Sequence, residues 1–304
     1  MSGDSSSNAW LRGRDRANTQ PPPTLLEHID DQPVQQQIIF DPAVAHYGDG
    51  YRFGGPLGSE AAQAPSTWHR VQIEKLATTL QAVAESSIGR SLVLRGSWLL
   101  RSWFGERARE PHDLDFVHIG DRSPDGFLED ALSTLSASER CRAVGLRVDD
   151  LATSDIWTYE RAVGRRIVIP WSSADMNGTV QLDVTFGEEI PGAPIRLTDP
   201  STGIATVSAE VSLAWKLLWL HTDNYAQGKD LFDAVLLAEN SHIGRDVEGW
   251  LRRAINGARP AFTGDLAKIH VAATEWAWFA SEYPELATGR SVGDLLGSLA
   301  TAID

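Results

Sequence analysis

The sequence predicts an α+β fold, with strands and helices mixed through about two thirds of the chain and helices alone after that. Three observations predict it. Short apolar or alternating runs (Leu92–Leu94, Asp113–Val117, Arg166–Trp171 and Val180–Phe186) have the length and residue types of strands. Apolar residues recur at spacings of three and four before and between them. From Ser208 onward only the helical spacing remains. The 304 residues are 42% hydrophobic and 22% charged, the balance of a globular chain that can bury a core, and 11 tryptophans give that core large anchors.

In chain order, residues 1–24 are polar and rich in Ser, Gln and Pro, and read as a disordered tail. Residues 25–66 carry scattered apolar positions between turn signals, Gly48-Asp49-Gly50 and Gly54-Gly55-Pro56, and read as an irregular arm. A core over 67–205 and a helical C-terminal region over 206–304 follow. The core opens with a helix from Ser66-Thr67, apolar through Ile73, Leu76, Leu80 and Val83, that ends at Gly89. The strand at Leu92 stops at Gly96-Ser97, and an amphipathic segment with Trp98, Leu99, Trp103 and Phe104 runs to Gly105. Ser123-Pro124 is an N-cap followed by a first-turn proline, opening a helix to about Ser138. Val144–Val148 reads as a short strand. Arg166–Trp171 and Val180–Phe186, joined by a polar loop, read as a hairpin. The helical region then holds a helix through Val211, Ala214, Trp215, Leu218 and Trp219, another from Lys229 after Gly228, and further helices at about 245–256, 265–283 and 292–303.

A formal net charge of -14 speaks against a surface that coats nucleic acid broadly. Local basic patches remain open: Arg95, Arg101, Arg107 and Arg109 form one group, Arg161, Arg165 and Arg166 another. Solvated surface and phosphate contact are both consistent with such arginines. The single cysteine, Cys141, excludes an internal disulfide and a cysteine-cluster zinc site, and fits a reducing compartment. No stretch approaches the roughly 20 apolar residues of a membrane span, and the first residues lack the apolar core of a secretory signal. A cytoplasmic protein with no membrane partner is the expectation.

The chemistry concentrates on acids. Successive side chains of a strand point to opposite faces, so Asp113 and Asp115 share one face and Leu114 and Phe116 the other. Two neighbouring carboxylates repel unless a cation lies between them, and ligation by oxygen alone suits Mg²⁺ or Mn²⁺. Asp183 stands on a strand of the same alternating pattern, opposite Leu182 and Val184. Gly96-Ser97 at a strand-to-helix turn offers backbone N–H groups that can cradle a phosphate. Lys216 lies on an apolar helix, and Asp230 and Asp233 share the face of the next one. Each part alone has a plain reading: a loop turn, solvent-facing acids, a lysine reaching to the surface. Together they are the parts that phosphoryl or nucleotidyl transfer requires.

In this order the residues resemble the AbiEii/AbiGii toxin family of nucleotidyltransferases, a branch of the DNA polymerase β-like superfamily that includes the mycobacterial MenT toxins. Gly96-Ser97 with Asp113-x-Asp115 resembles its first motif and Leu182-Asp183-Val184 its second. Val207-Ser208-Ala209-Glu210 through Lys216 resembles its third, and Gly228-Lys229-Asp230-Leu231-Phe232-Asp233 its fourth. The resemblance covers roughly 88–238. It departs from the family in a long gap between Ser97 and Asp113, in His112 before Asp113, and in Gln227-Gly228 where an arginine is expected.

The resemblance implies a nucleotidyltransferase core on a small mixed sheet with flanking helices, followed by helices. It implies Mg²⁺ or Mn²⁺ on Asp113, Asp115 and Asp183, with Asp183 completing the metal site or acting as base. An NTP would be held at Gly96, Ser97 and Lys216, with Arg109 a further contact, and Asp230 would be the acid of the fourth motif. The implied acceptor is the tRNA 3′ end, and the implied partner is a cognate antitoxin. Two other readings use the same residues: transfer to a small molecule or a protein hydroxyl, and a catalytically silent nucleotide-binding protein.

Overall fold

A computed structural model of the protein describes residues 36–38, 51–53, 65–158, 162–173, 176–192, 197–223, 226–259, 262–271 and 273–303. The tail expected over 1–24 and most of the arm expected over 25–66 lie outside them. Within the arm, β1 (Gln36–Ile38) and β2 (Tyr51–Phe53) pair antiparallel.

Helix α1 (Pro65–Glu85) leads through a 3-10 turn (Ile88–Ser91) into β3 (Leu92–Arg95), α2 (Ser97–Phe104) and β4 (Asp113–His118). Helix α3 (Pro124–Ala137) starts as expected, with the Ser123 hydroxyl accepting from the Gly126 amide and proline in its first turn. Short α4 (Glu139–Ala143) precedes β5 (Ala152–Thr158), β6 (Ala162–Ser173) and β7 (Met176–Phe186). Two-residue strands β8 (Leu197–Thr198) and β9 (Ala205–Thr206) close the sheet. Helices complete the chain: α5 (Ala209–Thr222), α6 (Gly228–Ala238), α7 (Arg245–Ala258), α8 (Ala273–Glu282), α9 (Pro284–Ala287) and α10 (Val292–Ile303).

Among the described residues, seven strands form one mixed sheet in the order β5-β6-β7-β4-β3-β9-β8. The β4–β7 and β3–β9 pairs are parallel and the rest antiparallel. Leu114 and Phe116 of β4 are wholly buried, as the alternation predicts. The β6–β7 hairpin is present, and α1 is tied to it by hydrogen bonds as well as apolar packing. Trp68 Nε1 donates to the Asn177 carbonyl (2.9 Å) and Gln72 Nε2 to the Thr179 carbonyl (2.8 Å). Trp171 Nε1 in turn donates to Gln72 Oε1 at 2.7 Å. Helix α5 is buried on every side from Val211 to His221, so it is the central post of the helical region.

Several elements differ from expectation. Val144–Val148 is no strand; Leu146 makes a single antiparallel bridge to Trp171. Strand β5 escaped notice because it is an edge strand with mostly polar side chains and no apolar alternation. The helix expected over 265–283 begins only at Ala273. Gly264 has a positive φ of 88°, and the carbonyls of Gly264 and Leu266 accept from the side chains of Arg252 and His221, which replaces helical bonding there. Trp103 is exposed rather than part of the core. Among the described residues no helix is long and apolar enough to cross a membrane.

Candidate active site

The register of four strands builds the site. Asp115 on β4 pairs with Asp183 on β7, Arg95 on β3 pairs with Asp115, and Arg166 on β6 pairs with Asp183. Residues paired directly across strands share a face. Arg95, Asp115, Asp183 and Arg166 therefore form one row, two acids side by side with an arginine at either end. Asp113, two residues before Asp115, falls on the same face. Ligand oxygens of Asp113, Asp115 and Asp183 all lie within 4.8 Å of one another.

The turn at Gly96 presses on this triad. Its φ of 79° and ψ of −159° belong to a region that essentially only glycine occupies. A Cβ at this position would overlap the Asp115 carboxylate. Ser97 opens α2 directly afterwards, and its hydroxyl is buried with no hydrogen-bond partner among the described residues. The first amides of α2 thus begin within a side chain's reach of the acids.

The triad is short of positive charge. Asp115 is pushed up to about 7, first by burial and then by the neighbouring Asp113 carboxylate, with Asp183 adding to it; Arg95 and Lys216 oppose the rise. A carboxylate that would hold a proton near neutrality is a carboxylate that gains from a divalent cation. The donor set is oxygen only and clustered, so these three acids could hold a hard ion such as Mg²⁺ or Mn²⁺.

Lys216, Asp230 and Arg109 come together in a second cluster with Asp233. Lys216 Nζ lies 2.6 Å from Asp230 Oδ1 and 3.0 Å from Asp233 Oδ2. Arg109 donates from Nε to both oxygens of Asp233 and from Nη2 to Oδ2, each at 3.2 Å. All four are buried, and Asp233 is wholly inaccessible. Burial alone would raise the Asp233 carboxyl, but Arg109 and Lys216 together hold it below the usual range. For Lys216 burial pulls downward, while Asp230 and then Asp233 keep its ammonium above the ordinary lysine value. Lys216 does not reach out to the surface as its apolar helix allowed; its counter-charges come to it. Its Nζ sits 5.1 Å from the Trp219 ring centroid, and the Arg95 guanidinium lies over the same ring at 5.4 Å and over Trp215 at 5.2 Å. Arg95 also pairs with Glu188 at 2.6 Å.

Sequence reasoning missed several of these partners. Arg166 grips Asp183 with two hydrogen bonds, Nε to Oδ1 at 2.8 Å and Nη2 to Oδ2 at 2.7 Å. The hairpin was legible, but its polar loop did not specify the register that pairs 166 with 183. Glu188 and Asp233 likewise had no assigned role. At the entrance to β4, His112 Nδ1 lies 3.1 Å from Glu282 Oε1, and the Tyr283 hydroxyl donates to the Glu110 carbonyl at 3.4 Å. Burial would raise Glu282, yet its hydrogen bond and charge contact with His112 bring it down to about 2. The residue that departs from the family's pattern is thus a clamp between β4 and the C-terminal helices.

Three carboxylates at a strand pair, with a glycine turn and a helix start pressed against them, are an arrangement that can serve the transfer of a phosphate-bearing group. The chain belongs to the nucleotidyl transferase AbiEii toxin family of type IV toxin–antitoxin systems, whose model matches residues 78–285. It is therefore a member of a nucleotidyltransferase family, and that family implies a nucleotide substrate and an antitoxin partner. Two solved structures resemble it at a TM-score of 0.45. One, from H. pylori and described as a candidate nucleotidyltransferase, is 16% identical and is matched over 79% of this chain and 92% of its own. The other, JHP933 from Helicobacter pylori, is 12% identical over 77% of this chain and 89% of its own. Neither likeness carries weight for the chemistry. A search of curated proteins finds no significant match.

Proposed function

We propose that the protein transfers a nucleotidyl group from an NTP, in a Mg²⁺-dependent reaction, to the 3′ end of tRNA, and that it acts in the cytoplasm as a toxin restrained by its antitoxin. The observation that carries this reading is the Gly96 turn, shaped so that only the absence of a side chain leaves room for the Asp115 carboxylate. In the reaction, the acceptor hydroxyl oxygen forms a bond to the α-phosphorus, the α–β bridging bond breaks, and pyrophosphate leaves with its electron pair.

Asp113, Asp115 and Asp183 would hold the divalent ion, which supplies Lewis-acid stabilisation of the phosphate charge when bound. The amides of Gly96 and of Ser97, which opens α2, and the Ser97 hydroxyl donate to the triphosphate. Lys216 sets a fixed positive charge behind the acids, held in place by Asp230, and Arg109 contributes through the same network. Asp183 completes the ion site or takes the proton of the acceptor hydroxyl.

The test is incubation with each labelled NTP, total tRNA and Mg²⁺, compared with Asp115→Ala. Label on tRNA that the substitution abolishes is the expected result. Label on protein or a small molecule sinks the tRNA assignment, and failure of wild-type expression to arrest growth sinks the toxin role.

One observation favours a second acceptor class. Several surface arginines are matched with acids: exposed Arg122 with Asp130, Arg140 with Glu85 and Arg142 with Asp149, and the half-buried Arg165 with Asp125 and Asp155. With a net charge of -14, these pairs offer little attraction to a polyanion. Transfer to a small molecule or a protein hydroxyl is the reading they support.

A further inference from the structure

We infer that Arg166 is a positioning residue for the metal site: from β6 it grips both oxygens of Asp183 and restricts that carboxylate to a single point of contact with one ion. The inference rests on the proposed divalent-ion site and deepens it. Arg166 matches none of the motif segments, and the strand that carries it is a neighbour of β7 on the side away from β4.

The argument is one of occupied lone pairs. An ionised carboxylate has about four acceptor positions. Arg166 takes one on Oδ1 and one on Oδ2, and the Gln181 side-chain amide takes a further one on Oδ2 at 3.2 Å. At most one position is left, so Asp183 cannot chelate an ion with both oxygens. The fork is planar and buried, with Arg166 only 4% exposed, and the strand register holds its backbone directly beside that of Asp183. The remaining contact is therefore made on the side where Asp113 and Asp115 stand.

The same guanidinium subtracts charge. Three carboxylates would hold the ion, and Arg166 and Arg95 close the row at its two ends. Arg166 thus trades ion affinity for geometry. Without it Asp183 has freedom to turn or to chelate, and the ion sits more tightly but in the wrong place.

The experiment compares wild type, Arg166→Met and Arg166→Lys by Mn²⁺ titration followed by electron paramagnetic resonance, with nucleotidyl transfer at saturating Mg²⁺ as the second readout. Loss of one positive charge beside the ion should tighten Mn²⁺ binding by about tenfold in Arg166→Met, while transfer falls by a similar factor or more. Arg166→Lys keeps the charge and loses the fork. It should bind Mn²⁺ about as wild type does, with an altered spectrum and reduced transfer. A residue with a purely structural role would weaken binding and lower the melting temperature together, and that pattern in Arg166→Lys overturns the inference. So do wild-type spectra and transfer in both variants. Should Arg166→Met fail to fold, the Arg166→Lys spectrum decides alone. Wild-type protein that binds no Mn²⁺ would instead remove the metal site itself, a separate failure that the first titration reveals.

Discussion

Replacing Lys216 by methionine keeps the volume of the side chain and removes its charge from the middle of a buried four-residue network. Two cations and two acids balance there; the substitution leaves Arg109, bound to Asp233, as the one cation of the four against two acids. At an effective dielectric constant near 20, each lost contact, at 2.6 and 3.0 Å, is worth about 6 kcal/mol of attraction. Most of that is offset because the lysine no longer has to be desolvated. Breaking a buried pair by removing one partner leaves a net cost of about 3–5 kcal/mol. For a chain of this length that lowers the melting temperature by about 5–8 °C. Urea unfolding followed by tryptophan fluorescence measures the cost directly. The companion variant, Lys216→Met with Asp230→Asn, leaves one cation and one anion and should recover at least half of the loss. A single variant within about 1 kcal/mol of wild type, or a double variant no more stable than the single one, would refute the account. The outcome also governs how activity data are read. Loss of activity in a Lys216 variant identifies a phosphate contact only when the fold is intact.

Gly96→Ala should cost about 1–3 kcal/mol in backbone strain and displace the Asp115 carboxylate, so Mn²⁺ binding should be lost even in preparations that still unfold cooperatively; normal Mn²⁺ affinity would contradict the packing described. Glu275 is raised to about 7, mainly by burial and then by Asp223 and Asp230 against the opposing Lys229. Its folded value is above its unfolded one, so its contribution is full below about pH 4.5 and is lost as pH rises through 7. Glu275→Gln should therefore be more stable than wild type by about 1–3 kcal/mol at pH 8 and equal to it near pH 5, and parallel stability curves over that range would refute the shift. Gln72→Ala removes the acceptor of the buried Trp171 indole and the donor to Thr179, a loss of about 1–3 kcal/mol in thermal unfolding. No change in melting temperature would mean that the two Gln72 bonds add nothing to the hold of α1 on the hairpin, leaving it to the Trp68 bond and apolar packing.

What the sequence made legible follows from how local each signal is. The alternation in β4 and β7 placed acids on one face and apolar residues on the other, because a strand's period of two is written in consecutive residues. The pairing of β4 with β7 was not legible. Two strands separate them in sequence, and nothing local sets a parallel register. Helix α5 illustrates a different limit. It is apolar on all sides, so periodicity could not show where Lys216 points, and its counter-charges come from α6 and from the loop that carries Arg109. Between Ser97 and Asp113 the expected amphipathic segment is helix α2, and the loop after it opens with a 3-10 turn at 105–107 before Arg109 reaches Asp233. At 144–148 local turn bonds, from the Gly145 amide to the Arg142 carbonyl and from the Asp150 amide to the Arg147 carbonyl, limit the pairing with β6 to one bridge, and the late start of α8 goes with side-chain bonds from distant residues, which no window of neighbours contains.

The in-register union of β4 and β7 has a consequence for how the protein is made. Asp115 and Asp183 belong to segments that meet only after β5, β6 and the hairpin have been synthesised and folded back beside β4. Parallel pairing between distant segments is slow, because the chain must close a long loop before any contact compensates for it. Until that pairing forms, the three acids are not together and the proposed ion site does not exist. For a protein of a toxin family such a delay would keep the proposed chemistry unavailable until the sheet has closed.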